Sequence, residues 1–578
     1  MTRPALPAVV VAALLAAAPA ARAGEPTMPL ADVHGGMRCT ARSVVHGTSI
    51  STFDVEVLDV VAGDRAERAP RILVRVSGPA VDATGIGPGF SGSPITCAAA
   101  DGTPRVIGAL SEGLGDYGGD TALATPIEAI LGEPVDPPSS ARSGPSAARL
   151  LARARPIATP LSIGGLSAPV ARAVQRAARR AGRTVLAVPA SPLGGFPPAP
   201  MVPGAAMAVG YAGGDLTAGA IGTVSYVDGD RLWAFGHSLD AVGRRALFLQ
   251  DAYVYGVIGN PVGTEEASTY KLAAPGHDLG TISADGGDAI AGRVGPAPPS
   301  FPLRIVARDL DRGRTDTIDA RMADETGVGL PNGASALSAI APIAVAEAAF
   351  TALGSAPARQ RGELCVRVAV RESRRPLRFC NTYVGGSGGV EELAGAAEAT
   401  DVADAAALID AFDAVRLHIT RAEIALRLRR GLHQAFLAGL RGPRTVRRGR
   451  TVRLRARLRH AGGGLSWRTI RVRIPRGAPR GRRDLVLVGT PADAPPTGQD
   501  GGFEIDLGTF FVGDGAEQGP TTVAGLRRAV AAMHRFDGVR ASLVRPGARR
   551  PGRRRGWVAL RPKGERISGA ARVRLRVR

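Results

Sequence analysis

Lysine is almost missing from this chain: Lys271 and Lys563 are the only two among 578 residues, although lysine and arginine together number 73. The positive charge is therefore guanidinium charge. Alanine, glycine and proline are abundant as well, a skew that GC-rich coding produces, so arginine abundance alone is weak evidence for a partner. Aromatic residues make up only 4%, and the cores must be filled by Val, Leu, Ile and Ala. Four cysteines, Cys39, Cys97, Cys365 and Cys380, form no CxxC pair and no Cys/His cluster at zinc spacing, so no metal and no cofactor is expected. No stretch beyond the amino terminus reads as long and apolar enough to cross a bilayer. There is no tandem repeat and no nucleic-acid-binding motif, and nucleic acid is not expected as a partner.

What is present begins with an export signal. Arg3, an apolar run over residues 8–18 and the small-x-small Ala21-Arg22-Ala23 predict a signal peptide over 1–23, cleaved before Gly24. The expectation is a secreted or cell-envelope protein. An even cysteine count then predicts disulfides Cys39–Cys97 and Cys365–Cys380. The second would close a loop of roughly 15 residues across two short strands, worth about 3 kcal/mol.

Charge is unevenly placed. Residues 441–578 hold 33 Lys+Arg against 9 Asp+Glu, while the rest holds 40 against 42. The basic end is a candidate for attraction to anionic envelope polymers or lipid head groups.

Periodicity is mostly that of strands. Residues 53–57 (FDVEV) and 71–76 alternate, Asp101-Gly102 marks a turn, and 226–232 reads as a hairpin. Thr125-Pro126-Ile127-Glu128 reads as a capping box opening a helix. Helices are expected within 167–181 and 390–412, and 451–458 alternates arginine with Val, Leu and Ala as a strand with one basic face. The fold class is mainly β with some helices. Its expected units are a first segment with a serine motif over 24–132, a linker over 133–156, a second segment with a histidine motif over 157–315, a β extension with the disulfide hairpin over 316–390, a helical connector over 391–416, an Ig-like β-sandwich over 417–515 and a small basic α+β segment over 516–578.

The chemistry concentrates at Gly89-Phe90-Ser91-Gly92-Ser93-Pro94. A serine between glycines on a tight turn suits a nucleophile. Gly92 removes a side chain that would crowd a substrate, Pro94 fixes the exit into a strand, and the amides of Gly89 and Ser91 are placed to face an oxyanion. A serine needs a base. Of eight histidines, His34, His46, His277, His418, His433, His460 and His534 have weak settings, His277 in a glycine-containing turn. His237, behind Ala234-Phe235-Gly236, ends an apolar strand.

These segments together resemble the SpoIVB peptidase family, serine peptidase family 55. The matching blocks are 53–60 (FDVEVLDV), 71–79 (RILVRVSGP), 84–86, 89–95 (GFSGSPI), 106–109 (VIGA) and 125–131 (TPIEAIL), then 222–224, 234–239 (AFGHSL), 280–282 and 289–292, over about residues 28–310. The resemblance implies a trypsin-like β-barrel peptidase acting on a protein or peptide substrate, with Ser91 as nucleophile and His237 as general base. The chain departs from the family in three ways. Ser91 precedes His237, Gly78 stands where the family has its triad aspartate, and no PDZ domain is found. The orienting carboxylate is then Asp285 or Asp240, or there is none. The resulting expectation is an exported serine endopeptidase. The alternative is a catalytically inactive envelope-binding or scaffold protein on the same fold.

Overall fold

Alternation of inward Val55, Val57 and Val60 with outward Asp54 and Glu56 curls the first strands around a small apolar core. Six strands build it: β1 (Arg38–His46), β2 (Ser49–Val61), β3 (Arg71–Ser77), β4 (Pro94–Ala98), β5 (Pro104–Gly113) and β6 (Thr121–Pro126), followed by the short helix α1 (Ile127–Leu131). Pairings run β4-β1-β2-β3-β6-β5 and return to β4, so the sheet closes on itself. The order β4-β1-β2-β3 is a Greek key, and closure leaves the barrel without edges. Cys39 lies opposite Cys97 across β1 and β4, and the two are bonded.

The computed structural model describes residues 24–63, 69–114, 119–157, 161–180, 185–188, 196–259, 269–330, 334–355, 360–385, 397–431, 434–489, 520–533, 539–547, 557–560 and 566–578. The predicted signal peptide, Lys563, His433 and His534 lie outside these residues. Described strands make up 51% and helices 15%, so the fold is mainly β as expected.

Within the segment read as a linker lie α2 (Pro145–Arg153) and the two-residue strand β7 (Arg155–Pro156), which pairs with β5. Apolar Ala147 and Leu151 seat α2 on the barrel through Leu73 and Leu123. Then come β8 (Leu161–Gly164), α3 (Ala168–Arg180) and β9 (Val185–Val188). A second set of six strands follows: β10 (Ala206–Gly214), β11 (Thr217–Asp228), β12 (Arg231–Ala234), β13 (Gly243–Ile258), β14 (Tyr270–Asp285) and β15 (Ile290–Val294). Their pairings run β13-β10-β11-β12-β15-β14 and return to β13. Numbered from its own first strand, this ring has the same order as the first, 4-1-2-3-6-5. The Ser91 loop joins strands three and four of the first ring, and the His237 loop joins strands three and four of the second. The rings are joined by an apolar seam of Val44 with Ala208, Ile221, Ala252, Val254 and Ala273, and by the buried Arg71, which pairs with Glu112 and with Asp288 at 2.9 Å each.

The second sheet extends outward through β16 (Ser300–Asp309) and β17 (Arg314–Ala323), then α4 (Ala336–Leu353), the hairpin β18 (Gln360–Val370) and β19 (Leu377–Gly385), α5 (Ala397–Asp410) and β20 (Ile419–Arg430). Cys365 and Cys380 face each other in that hairpin and are bonded. Two disulfides fit an oxidising compartment. Helix α4 corrects two expectations: it stands where only β structure was expected, and it is long and apolar enough by composition to cross a bilayer. It is instead buried on nearly all sides in the core shared with β16, β17 and α5. A helix apolar all round shows no 3.6-residue periodicity, which is why the sequence did not signal it.

The last unit is a sandwich: β21 (Gln434–Arg441), β22 (Thr445–Val446), β23 (Thr451–His460), β24 (Leu465–Arg473), β25 (Gly481–Gly489), α6 (Val523–Ala531), β26 (Val539–Val544), β27 (Trp557–Leu560), β28 (Arg566–Ser568) and β29 (Ala570–Val577). Sheets β24-β23-β21-β28 and β22-β29-β25-β26-β27 share one core, Leu454, Leu458 and Ile470 meeting Leu485, Leu487 and Leu575. Its limits differ from the expected 417–515. β20 pairs with β16 and β18 in the large sheet, and the strands after 516 complete the sandwich.

Candidate active site

The serine loop is a tight turn wedged between the rings. Phe90 N donates to Gly87 O (2.9 Å) and Ser93 N to Phe90 O (3.0 Å). Gly89 and Gly92 have φ of +97° and +89°, where a side chain is disfavoured. A Cβ on Gly92 would stand 2.0 Å from Thr223 O and 2.5 Å from Phe235 N, so the loop backbone lies directly on β11 and the start of the histidine loop. Ser91 O accepts from Thr223 N (2.9 Å), and Gly92 N donates to Leu110 O (2.7 Å). The Ser91 side chain is fully buried, and its Oγ has no hydrogen-bond partner among the described residues. Among those residues the N–H groups of Gly89 and Ser91 make no backbone hydrogen bond either.

The histidine loop carries strain. Phe235, at φ +72°, is one of two non-glycine residues in the left-handed region among the described residues, and Gly236 follows at +67°. Gly236 O accepts from Thr125 Oγ1 (2.7 Å). This corrects the expected capping box: Thr125 makes no side-chain cap on α1, and Glu128 instead accepts from Leu30 N (2.6 Å). His237 is buried, with Nδ1 2.6 Å from Ser238 O and Nε2 3.1 Å from Ile157 O. A neutral imidazole has one N–H, and the shorter contact assigns it to Nδ1. Burial lowers the His237 pKa, which favours the neutral ring, opposed by the Ser238 and Ile157 carbonyls and by the charges of Glu112 and Asp285.

Neither expected carboxylate orients that ring. Asp285, buried, accepts from Leu239 N (2.7 Å) through Oδ1 and from Asp240 N (2.8 Å) through Oδ2. It braces the chain just past His237 and spends its acceptors on main-chain amides. Asp240 reaches Arg245 (3.4 Å), whose guanidinium also pairs with Glu325 (2.8 Å). The acceptor at Nδ1 is the Ser238 carbonyl. Gly78 has φ +110° and donates its N–H to Asp82 (2.7 Å).

The two loops converge on one atom. Leu110 O takes the Gly92 N–H, and a Cβ on Gly236 would lie 3.1 Å from the same oxygen. Ser91 and His237 each neighbour these glycines in sequence. No hydrogen bond joins their side chains among the described residues: in this form Ser91 is sealed and His237 Nε2 faces Ile157.

Sequence reasoning missed Lys271. It is fully buried under the serine loop, where Nζ donates to Ser43 Oγ (2.6 Å) and Thr223 Oγ1 (3.2 Å) and lies 4.5 Å from the Phe90 ring centre. Ser93 Oγ donates to Phe90 O (2.6 Å) and lies 2.9 Å from Ser43 Oγ, and Thr223 Oγ1 donates to Gly89 O (3.0 Å). Burial pushes the Lys271 pKa down to about 7. The signal was its rarity: a lysine kept in a chain that otherwise uses arginine. A second pair, His277 Nδ1 with the fully buried Asp251 at 3.0 Å, borders a separate cleft of about 560 Å³ with Thr217, Gln250 and Arg321. His277 lies within β14 and not in a turn.

Among the described residues no group of three or more His, Cys, Asp or Glu is placed to hold a metal ion. Among the described residues the assembled groups are a hydroxyl without a partner, two amides without a backbone partner beside it, and an imidazole on the facing loop with its Nδ1 held by a carbonyl. Acyl transfer through a serine uses those groups. No protein-family model, no curated protein and no solved structure matches the chain.

Proposed function

We propose that the paired rings form the catalytic unit of an exported serine endopeptidase of trypsin-like type, as the SpoIVB resemblance implies, followed by an Ig-like sandwich. The observation that carries the proposal is Ser91: a buried hydroxyl with no partner among the described residues, between amides that make no backbone hydrogen bond there, on the loop topologically equivalent to that of His237. A buried hydroxyl left unpaired costs about 1–3 kcal/mol, a cost tolerated where the group has a task.

In the reaction, Ser91 Oγ attacks the scissile carbonyl carbon and its proton passes to His237 Nε2. Nδ1–H stays on Ser238 O, and the Gly89 and Ser91 amides take the oxyanion. His237 then gives the proton to the leaving amine as the C–N bond breaks; water, deprotonated by the same nitrogen, attacks the acyl carbon, and that proton returns to Ser91 Oγ as the C–Oγ bond breaks. This route requires the Ile157 carbonyl to leave Nε2 and the serine loop to open. The main-chain acceptor replaces the triad carboxylate, much as a neutral acceptor does in Cys-His-Asn sites.

A fluorophosphonate probe with mass-spectrometric mapping tests the proposal. Labelling is expected on Ser91 of the native chain, absent in Ser91→Ala and slower by about 10²-fold or more in His237→Ala. The second reading, a non-catalytic scaffold, is favoured by the burial of Ser91 and by the carbonyls at both His237 nitrogens. It predicts no labelling of the folded protein under any condition that leaves the disulfides intact.

A further inference from the structure

We infer that the outer face of β21, β23 and β24 is a binding surface for a linear phosphodiester polymer, an occupant independent of the Ser91 chemistry. Along β23, Val452, Leu454, Ala456 and Leu458 point into the sandwich while Arg453, Arg455, Arg457 and Arg459 point out. Outward side chains on a strand repeat every ~6.7 Å, so the four form a straight row of about 20 Å. The neighbouring strands add to it: Arg471 stands opposite Arg453, and Arg441 opposite Arg455. The three strands contain no Asp or Glu, and the outward arginines of β23 form no ion pair among the described residues. Like charges directly opposite each other destabilise a sheet, and a bound polyanion relieves that repulsion.

The row is preorganised. Arg441 and Arg455 hold their guanidinium carbons 4.9 and 5.1 Å from the Trp467 ring centre, and Arg459 sits 5.3 Å from that of Phe436. Stacked guanidiniums lose less freedom on binding and keep their N–H forks available for phosphate oxygens. At the end of the face where Thr451 pairs with Arg473, the surface runs into a cleft of about 470 Å³ lined by Arg447, Arg448, Arg476, Arg480 and Arg578.

Geometry selects the class. A tetrahedral phosphate bridges two guanidiniums facing each other across strands, as Arg453 faces Arg471, and a repeating chain matches the straight row. A membrane needs an apolar wedge; this face exposes Leu465, but the half-exposed Trp467 ring beside it is covered by two arginines and the rest of the row is guanidinium. Nucleic-acid bases need an open aromatic face to stack on, and both rings here carry a guanidinium.

The test is binding of the full chain to poly(glycerol phosphate) across a salt series. The expected result is affinity that falls steeply with salt. Arg455→Ser/Arg457→Ser should weaken binding about tenfold at low salt and flatten the log–log slope by about 1 to 1.5. A control with the same charge removed outside the sandwich, Arg304→Ser/Arg367→Ser, should change affinity less than about twofold. Equal loss in the two doubles overturns the inference, since net charge alone would then act. So does tighter binding of phosphatidylglycerol vesicles or of a single-stranded DNA oligomer than of the polymer. Fluorophosphonate labelling of Ser91 plays no role in any arm, so failure here and failure of the peptidase proposal are read separately.

Discussion

At the scale of single residues, Lys271 is the most informative position. Its ammonium has hydroxyls and a ring for company but, among the described residues, no carboxylate within hydrogen-bond range, so the charged form is disfavoured when folded. The folded pKa of about 7 lies below the ordinary 10.5. The unfolded chain therefore holds the proton more tightly between those values, and stability rises as pH climbs through that window. Below about pH 7 the cost is fully present. Lys271→Met should remove this rise. The measurement is the difference in unfolding free energy between native chain and variant from pH 6 to 10, and a flat difference would show that the amine is solvated. Why this site was not legible is plain from its partners: Ser43 and Thr223 lie 228 and 48 residues away in sequence. Ser91 was legible because its glycines and proline are local, and His237 because it ends an apolar strand. Of the carboxylate alternatives, Asp285 satisfies main-chain amides, which no residue type announces.

Elements differ in how openly they declare themselves. The alternation at 451–458 predicts β23 with its faces assigned, and the two cysteine pairs appear as cross-strand neighbours. Helix α4 and the hydroxyl of Thr125 were hidden, one by uniform apolarity and the other by a distant carbonyl. The serine loop is an element in its own right, clamped on β11. Gly92→Ala should cost about 2–4 kcal/mol, combining left-handed strain with a displaced Thr223 carbonyl. Gly102→Ala, at φ +78° in open space, should cost only about 1–2 kcal/mol. Urea midpoints of the two variants decide it, because equal losses would mean that the loop does not bear on the second ring.

For the whole molecule, strand content was readable but ring closure was not, since it rests on pairings such as β1 with β4 and β10 with β13 that no local pattern encodes. The junction between the front and the sandwich was likewise invisible. Helix α6 belongs in sequence to the sandwich, yet Leu526 and Val530 are buried in the large core beside β19 and α5. Leu526→Ala should cost about 2–5 kcal/mol at that contact. Amide exchange in β18 and β19 should accelerate while β1 and β2 keep their protection; acceleration everywhere would show that the whole chain unfolds as one.

The repeated winding of the two rings carries a further implication. On the peptidase proposal each half of the front supplies one reactant from the same bend of the same path, so neither half alone would hold a working pair. On that proposal any reaction is a property of the seam, and whatever loosens that seam, such as a partner prying the Ile157 carbonyl from His237, governs both reactants at once.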